Sequence, residues 1–248
     1  MNIAVCVCQV PDTASVTGVV DGEGDFSRVH EVMNPYDEYA LEEAVRLREH
    51  YPPGEVTVFS VAPDSAKEMV RKALAMGADR AILVDHTVVS DPYQTAIALS
   101  RAISFFYGGV LPDIVFCGKQ STDFQSAQVP PMLAELLGMG AVTGICSLRL
   151  SSDALQVERE IEGGIEFFDL HYPALLSAEK GLNIPRKTSI KSVMEARKKK
   201  IGSCSLSLDV DPYVVMTGLK SLDRKKRCQF LSDGKELITL LREKHKLF

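Results

Sequence analysis

The sequence predicts an α/β fold built on a doubly wound, mostly parallel sheet, and three observations carry that prediction. Strand-like and helix-like stretches alternate four times between Asn2 and Gly138, with short connections; repeated βαβ units impose this order. The strand-like stretches are continuous apolar runs, as in Val56-Thr57-Val58-Phe59-Ser60-Val61-Ala62, the pattern of strands covered on both faces. The helix-like stretches place their apolar residues three and four apart. With 46% hydrophobic and 25% charged residues, the chain has room for one large α/β domain, or for one domain plus an extension.

The first strand spans Asn2 to Val10 and ends at Pro11-Asp12-Thr13. Because Asn2 to Val7 already reads as a buried strand, neither a signal peptide nor an Arg-rich presequence is expected. A glycine-rich excursion with Gly18, Gly22 and Gly24 follows. No helix begins there, so it reads as a hairpin or surface loop rather than a phosphate cradle. Asn34 then caps a helix that has Pro35 in its first turn, acids at Asp37 and Glu38, and an apolar stripe of Ala40, Leu41, Ala44, Val45 and Leu47, out to about His50. The second strand is Glu55 to Ala62. The next helix starts at Asp64 or Ser65, turns Met69, Val70, Ala73, Leu74 and Met76 inward, and stops at Gly77. Ala81 to Val84 is the third strand. Asp91-Pro92 opens a helix through Ile97, Leu99, Ile103 and Phe106, closed by Gly108-Gly109, and Ile114 to Cys117 is the fourth strand.

Beyond Gly138 the pattern changes. Cys146 to Leu150, Ala154 to Ile161 and Ile165 to His171 read as antiparallel strands, an added hairpin with Gly163-Gly164 as the tight turn between the last two. Glu158, Arg159 and Glu160 read as a solvated strand face. Pro173 to Ala178 is a further apolar strand. Glu179 to Lys200 has few large apolar residues and many basic ones. It is either a solvated helix with a charged end or a basic loop that meets an acidic partner. A C-terminal arm follows: a strand-like Ser205 to Val210, a polar linker through Lys220 to Arg227, and a helix from Asp233 through Leu241. That helix either packs on a neighbour or folds back on its own domain.

A net charge of −5 offers no basic field for nucleic acid. The apolar runs are strand-sized, so no membrane insertion is expected. The six cysteines, at 6, 8, 117, 146, 204 and 228, form no CxxC pair and have no His at ligand spacing. Zinc and iron–sulfur readings are therefore weak, and Cys6 and Cys117 read as small buried hydrophobes in a reducing cytosol. His30, His50, His86, His171 and His245 are scattered. With no nucleophile–base pair and no paired carboxylates in one loop, the pattern is that of a carrier rather than a catalyst.

The chemistry concentrates between Asp113 and Gly138. The fourth strand runs into Gly118, then a polar loop, Lys119 to Val129, then Pro130 and an amphipathic helix with Met132, Leu133, Leu136 and Leu137. Such a loop lies at the carboxyl end of its strand, where open α/β sheets bind ligands. Gly118 lets the backbone approach a ligand closely. Amides opening the helix suit a phosphate, and Ser121, Thr122, Ser126 and Gln128 add donors. The loop matches no named phosphate motif, so an ordinary strand-to-helix connection stays equally open here. If the sheet reverses between strands one and four, Cys6 to Thr13 lies beside Gly118 to Val129.

Six segments together resemble the beta subunit of electron transfer flavoprotein: VCVCQVPDT at the N-terminus, MNPYDEYALEEAVRLRE (Met33 to Glu49), ALAMGADRAILV (Ala73 to Val84), GKQSTDFQSAQV (Gly118 to Val129), VEREIEGGIE (Val157 to Glu166) and MEARKKKI (Met194 to Ile201). They stand in the family's order and cover the chain to about residue 201; the remainder matches loosely. The resemblance implies an α/β domain of the adenine-nucleotide-binding type over 1–200, including a partner-recognition loop over 178–200, and a C-terminal extension with linker and terminal helix over 201–248. It implies a heterodimer in which an alpha subunit holds the redox-active FAD while this chain binds a structural AMP and is not itself an enzyme. Such a carrier takes electrons from dehydrogenases, among them the acyl-CoA dehydrogenases of fatty acid oxidation, and passes them to a quinone oxidoreductase; the location expected is cytoplasmic.

Carried over by motif, the nucleotide-contacting residues would be Cys6, Asn34, Pro35, Tyr36, Asp37, Val61, Gly118, Lys119, Gln120, Ser121, Thr122, Asp123, Phe124, Gln125, Ser126, Ala127, Gln128 and Val129. Thr13 would lie near the partner's FAD. Ile190 would be the apolar anchor that enters a dehydrogenase, with Arg186, Lys187, Lys191, Met194 and Arg197 around it. The sequence departs from the family in places. Cys8 stands where the family often has lysine, and Phe124-Gln125 where its AMP type usually has acids. Ser126 to Pro131 is similar to the electron-bifurcating type, whose beta subunit holds a second FAD in this pocket. Val157 to Glu166 and the basic stretch are similar to the AMP type, which is the expectation. A module that binds AMP reversibly is the further alternative.

Overall fold

The computed structural model describes residues 1–15, 18–20, 23–25, 28–85, 91–151, 154–206, 208–220, 228–244 and 246–247. In chain order these form β1 (Asn2–Cys6), β2 (Gln9–Pro11), β3 (Gly18–Val20), β4 (Glu23–Asp25), β5 (Glu31–Met33), α1 (Pro35–His50), β6 (Glu55–Val61), a 3-10 turn (Asp64–Ala66), α2 (Lys67–Met76), β7 (Arg80–Asp85), α3 (Pro92–Phe106), β8 (Ile114–Gly118), α4 (Val129–Leu137), β9 (Gly140–Leu150), β10 (Ala154–Ile161), β11 (Gly164–His171), β12 (Ala174–Ala178), α5 (Ile190–Lys198), β13 (Ile201–Ser205) and α6 (Gly234–Glu243). Among the described residues no helix is long and apolar enough to cross a membrane.

The expected doubly wound, mostly parallel sheet forms. Its strand order is β11-β10-β9-β12-β8-β1-β6-β7-β13. From β9 through β13 every neighbouring pair is parallel, and β10 alone is reversed, pairing antiparallel with both β9 and β11. The period-two alternation of each strand feeds two cores. Ile3 and Val5 of β1, with Ile114 and Phe116 of β8, pack among the apolar residues of α1 and α2. Ala4 and Cys6, with Val115 and Cys117, pack among those of α3 and α4. Both faces are covered, so the central strands are mostly apolar, with Thr57, Ser60 and Ser177 as buried exceptions, and each Val, Ile or Leu buried this way contributes about 1.5–3 kcal/mol.

Several boundaries differ from expectation. The first strand is not continuous from Asn2 to Val10. β1 stops at Cys6, and β2 pairs antiparallel with β5 in a separate ribbon, because Cys8 is turned aside to bond the α1 N-terminus. The glycine-rich excursion does form a hairpin, β3 with β4, although Gly22 lies outside the described residues. The expected antiparallel hairpin is no separate unit, for β10 and β11 continue the main sheet. β12 inserts between β8 and β9, parallel to both. The strand expected over Ser205 to Val210 lies at Ile201–Ser205, hydrogen-bonded to β7. Glu179 to Lys200 is irregular as far as Ser189 and helical only from Ile190. The terminal helix buries no residue. His86, His245 and all of the linker through Arg227 but Lys220 lie outside the described residues.

The first turn of α3 anchors part of the arm. Asp91 Oδ1 accepts from the Gln94 amide at 2.8 Å as a helix cap, and its Oδ2 accepts from the amides of Tyr213 at 2.6 Å and Val214 at 3.2 Å. Gln94 Nε2 donates to Val210 O at 2.8 Å, and the Tyr93 and Tyr213 rings lie 4.7 Å apart. Asp91→Ala is expected to cost about 1–2 kcal/mol through the lost cap and to release the stretch around Val210 to Val214. Limited proteolysis should then cut near Tyr213 well before the core opens; unchanged resistance there would refute the anchor.

Candidate functional site

β1 is flanked by β6 on one side and β8 on the other. The chain leaves β1 toward β6 and later returns to its opposite edge as β8, so their carboxyl ends part at a topological switch point. The expected juxtaposition of the two loops is what forms. A crevice there is lined by Cys6, Val7 and Cys8 after β1, by Asn34 and Asp37 at the start of α1, by Val61 closing β6, and by Thr95 and Leu99 of α3. The opposite wall is Cys117, Gly118, Gln120, Ser121, Ser126, Ala127, Gln128, Val129 and Pro130. Of the residues expected at a nucleotide, Pro35, Tyr36, Lys119, Thr122, Asp123, Phe124 and Gln125 are not part of this lining. Thr13 is exposed in the turn after β2.

Asp37 organises the crevice. It is almost wholly buried. Its Oδ2 accepts from the Cys8 amide at 2.7 Å, and its Oδ1 accepts from Asn34 Nδ2 at 2.9 Å and from the Gly118 amide at 3.0 Å. One carboxylate thus joins the loop after β1, the start of α1 and the end of β8. Burial pushes its pKa up to about 6, against the pull of the hydrogen bonds from Cys8, Asn34 and Gly118. Asn34 sits at the N-cap position of α1, but its side chain makes no cap bond. Its Nδ2 instead bridges Asp37 and the Gln120 carbonyl, at 2.9 Å each. Its buried Oδ1 has no hydrogen-bond partner, and neither has Thr122 Oγ1.

Gly118 is a close-approach point between β8 and the start of α1. A Cβ at this position would overlap Asp37 Oδ1 and stand 2.8 Å from Tyr36 Cβ and 2.9 Å from Asp37 N. The backbone of β8 meets the first turn of α1 here. The helix that follows differs from expectation as an anion site. α4 opens Val129-Pro130-Pro131, and the two prolines have no N–H to offer. The donors sit one turn earlier. Gln125 and Ala127 hold φ of 53° and 54°, a left-handed conformation that costs a residue with a Cβ roughly 1–2 kcal/mol. With Gln128 right-handed, Ala127 and Gln128 form the alternating pair that turns successive amides to one side, an anion-binding nest. The amides of Ser126, Ala127, Gln128 and Val129 have no partner among the described residues.

The floor is apolar. Cys6 and Cys117 come from adjacent strands; the neighbouring Cys6 thiol first, and burial second, raise the Cys117 thiol well above its usual range. Burial and then the neighbouring Asp37 raise Cys8 likewise. The Cys8 and Cys117 thiols stay protonated near neutral pH and act as small hydrophobes, not nucleophiles. The buried carboxylate of the crevice, Asp37, is committed to three protein donors. The crevice suits a ligand with one anionic group for the loop amides and a flat apolar part for the floor. Val7, Cys8, Thr95, Leu99, Cys117 and Pro130 line the crevice without being among the residues expected at the nucleotide. The four-residue spacing of Thr95 and Leu99 puts them on one helix face, but only the tertiary fold lays that face on the crevice.

On another face, Ile190 and Met194 project from α5, 84% and 60% exposed, and Lys187, Lys191 and Arg197 are exposed around them. Arg186 is not free for a partner in the same way, because Glu42 and Glu49 of α1 hold its guanidinium.

Comparison with known proteins bears on this arrangement. A family model described as the electron transfer flavoprotein domain matches residues 25–208. The chain is similar to the electron transfer flavoprotein subunit beta of Thermoanaerobacterium thermosaccharolyticum, 44% identical over 207 residues that cover 81% of this chain and 76% of the relative. It is 40% identical to the protein FixA of Sinorhizobium fredii over 214 residues, 81% of this chain and 73% of that one. The electron transfer flavoprotein subunit beta of Bacillus subtilis is 33% identical over 259 aligned positions, the whole of both chains.

Proposed function

This chain belongs to the electron transfer flavoprotein beta-subunit family, and we propose that it is the non-catalytic subunit of a heterodimeric electron carrier whose crevice holds AMP as a structural ligand. The observation that carries the reading is the pairing of unmet hydrogen-bonding groups in one crevice. Among the described residues the four loop amides from Ser126 to Val129 lack partners on an exposed loop, and the buried Asn34 Oδ1 lacks a donor. An unpaired buried acceptor is expensive, so Asn34 fits a ligand that supplies a hydroxyl or amino group, and the open amides can receive its phosphate. Ser121, Ser126 and Gln128 would add donors, and Val61, Leu99, Cys6 and Cys117 would bed the purine. Asp37 keeps its lone pairs on protein donors, away from the phosphate.

FAD, held mainly by an alpha subunit, supplies the redox chemistry. This chain braces it from the Thr13 turn and presents residues 178–200 to dehydrogenases such as acyl-CoA dehydrogenases, before electrons pass to a quinone oxidoreductase; the setting is cytoplasmic. Ile190 is the docking anchor, with Met194 beside it. Lys187, Lys191 and Arg197 draw an acidic partner in, and Arg186 holds the segment's base. Co-expression with an alpha subunit, followed by nucleotide extraction, is the test. One FAD and one AMP per heterodimer are expected, with the AMP retained through dialysis. Two FAD would move the protein to the electron-bifurcating type, and AMP lost on dialysis would make the chain a reversible AMP-binding module.

A further inference from the structure

We propose that Arg71 and Arg186 are positioning residues that fix α5 to the body of the domain, so that Ile190 and Met194 meet a dehydrogenase already in place; this rests on the docking reading above. α5 has nine residues and buries only Ala196. A helix so short is marginal in water without outside support. Its start is secured by a reciprocal cap between Ser189 and Ser192, at 2.9 and 3.1 Å. Its end is secured from α2. Arg71 Nη1 donates to the carbonyls of Ala196 at 2.9 Å and Lys199 at 2.7 Å, with Arg197 O at 3.4 Å. A guanidinium there meets both the orphan carbonyls and the negative end of the helix dipole. Lys199 Nζ adds a bond to Ala78 O at 2.6 Å.

The stretch leading into α5 is fixed to α1 in the same polar manner. Arg186 donates to Glu42 through Nε at 2.9 Å and Nη2 at 3.1 Å, and to Glu49 through Nη1 at 2.7 Å and Nη2 at 3.0 Å. Its backbone amide also reaches Glu42 Oε2, at 3.0 Å. Asn183 Nδ2 bonds Tyr39 O and Glu43 Oε2, both at 2.9 Å. Residues 183–199 are therefore held by side-chain hydrogen bonds at both ends and by little apolar burial between. This construction leaves the apolar side chains outward on a helix fixed at both ends. Ordering a segment before binding removes that entropy from the docking step, so losing a clamp should weaken docking without touching the flavin or the sheet.

The test uses the purified heterodimer, with an acyl-CoA dehydrogenase that reduces the wild-type protein as probe. It compares Arg71→Gln, Arg71→Lys, Arg186→Gln, Ile190→Ala and the Arg71→Gln/Ile190→Ala double variant. Arg71→Gln should raise the KM for the heterodimer about fivefold to tenfold, with kcat, FAD content and Tm kept, and amide exchange over 190–198 should quicken. Arg186→Gln should raise the KM likewise, but with a lowered Tm, because it leaves the buried Glu42 carboxylate without its cation. Arg71→Lys, which keeps the charge but not the fork, should fold as wild type and fall between. In the Ile190→Ala background, Arg71→Gln should add little, because it acts through that anchor. A lowered Tm with an unmoved KM would make Arg71 merely structural and overturn the proposal. Fully multiplicative effects in the double variant, or unchanged exchange over α5, would overturn it as well. An Ile190→Ala heterodimer with wild-type KM would remove the docking reading itself, and this proposal with it.

Discussion

Gly118→Ala is expected to destabilise the protein by about 2–5 kcal/mol and to abolish the AMP binding proposed for the crevice. The added methyl would overlap Asp37 Oδ1, and it would lie 2.8 Å from Tyr36 Cβ and 2.9 Å from Asp37 N. None of these can retreat as the tip of a long side chain could. They belong to the first turn of α1, where Pro35 fixes φ and where the Asn34 carbonyl accepts from the Asp37 amide at 3.0 Å. The substitution therefore parts β8 from α1 and breaks the bond from the Gly118 amide to Asp37. For a chain of this size each kcal/mol lowers Tm by about 2–4 °C, so thermal unfolding should move by roughly 5–20 °C. Gly234→Ala, at a position with open space around it, should leave Tm unmoved. A Gly118→Ala protein with wild-type Tm and bound AMP would show that the junction can flex and that this account of it is wrong.

The same glycine marks how far the sequence can be read. Its position after an apolar strand announces a close approach, but what it approaches is set by how α1 lies across β8, a contact between residues 81 apart. The alternation of strands and helices is legible because period and capping are local. The insertion of β12 between β8 and β9 is not, since a five-residue apolar strand fits any interior slot. Asn34 does mark the start of α1, as expected, but does not cap it; the side chain is drawn off by Asp37 and Gln120, which no local rule foresees. The two prolines after Val129 are visible in the sequence, and their missing N–H groups could have moved the phosphate donors into the loop on sequence grounds alone. The left-handed Gln125 and Ala127 could not have been found, because neither is a glycine or asparagine and the strain comes from closing the loop over the crevice.

Asp37→Asn tests the centre of the site through its pH dependence. The ionised carboxylate accepts from the Cys8 amide, the Gly118 amide and Asn34 Nδ2. An amide side chain of the same shape has one acceptor oxygen, so its NH2 must face at least one buried donor. Each donor so orphaned costs about 1–3 kcal/mol, and the variant should be less stable than the wild type at every pH where both fold. The gap itself should change with pH. Burial raises the Asp37 pKa from 3.8 to about 6. The folded protein therefore holds a proton at pH 5 that the unfolded chain has lost, and stability attributable to this residue falls as pH rises from about 4 through 6. A shift of this size corresponds to roughly 3 kcal/mol across the window. The amide that replaces the carboxyl in the variant does not titrate, so the difference in unfolding free energy between the two proteins should be widest near pH 4 and narrow to a constant above pH 7. Denaturant unfolding of both proteins between pH 4 and 8 measures it directly. A gap that widens as pH rises would mean that the carboxylate is stabilised in its charged form, and that the three hydrogen bonds outweigh its burial.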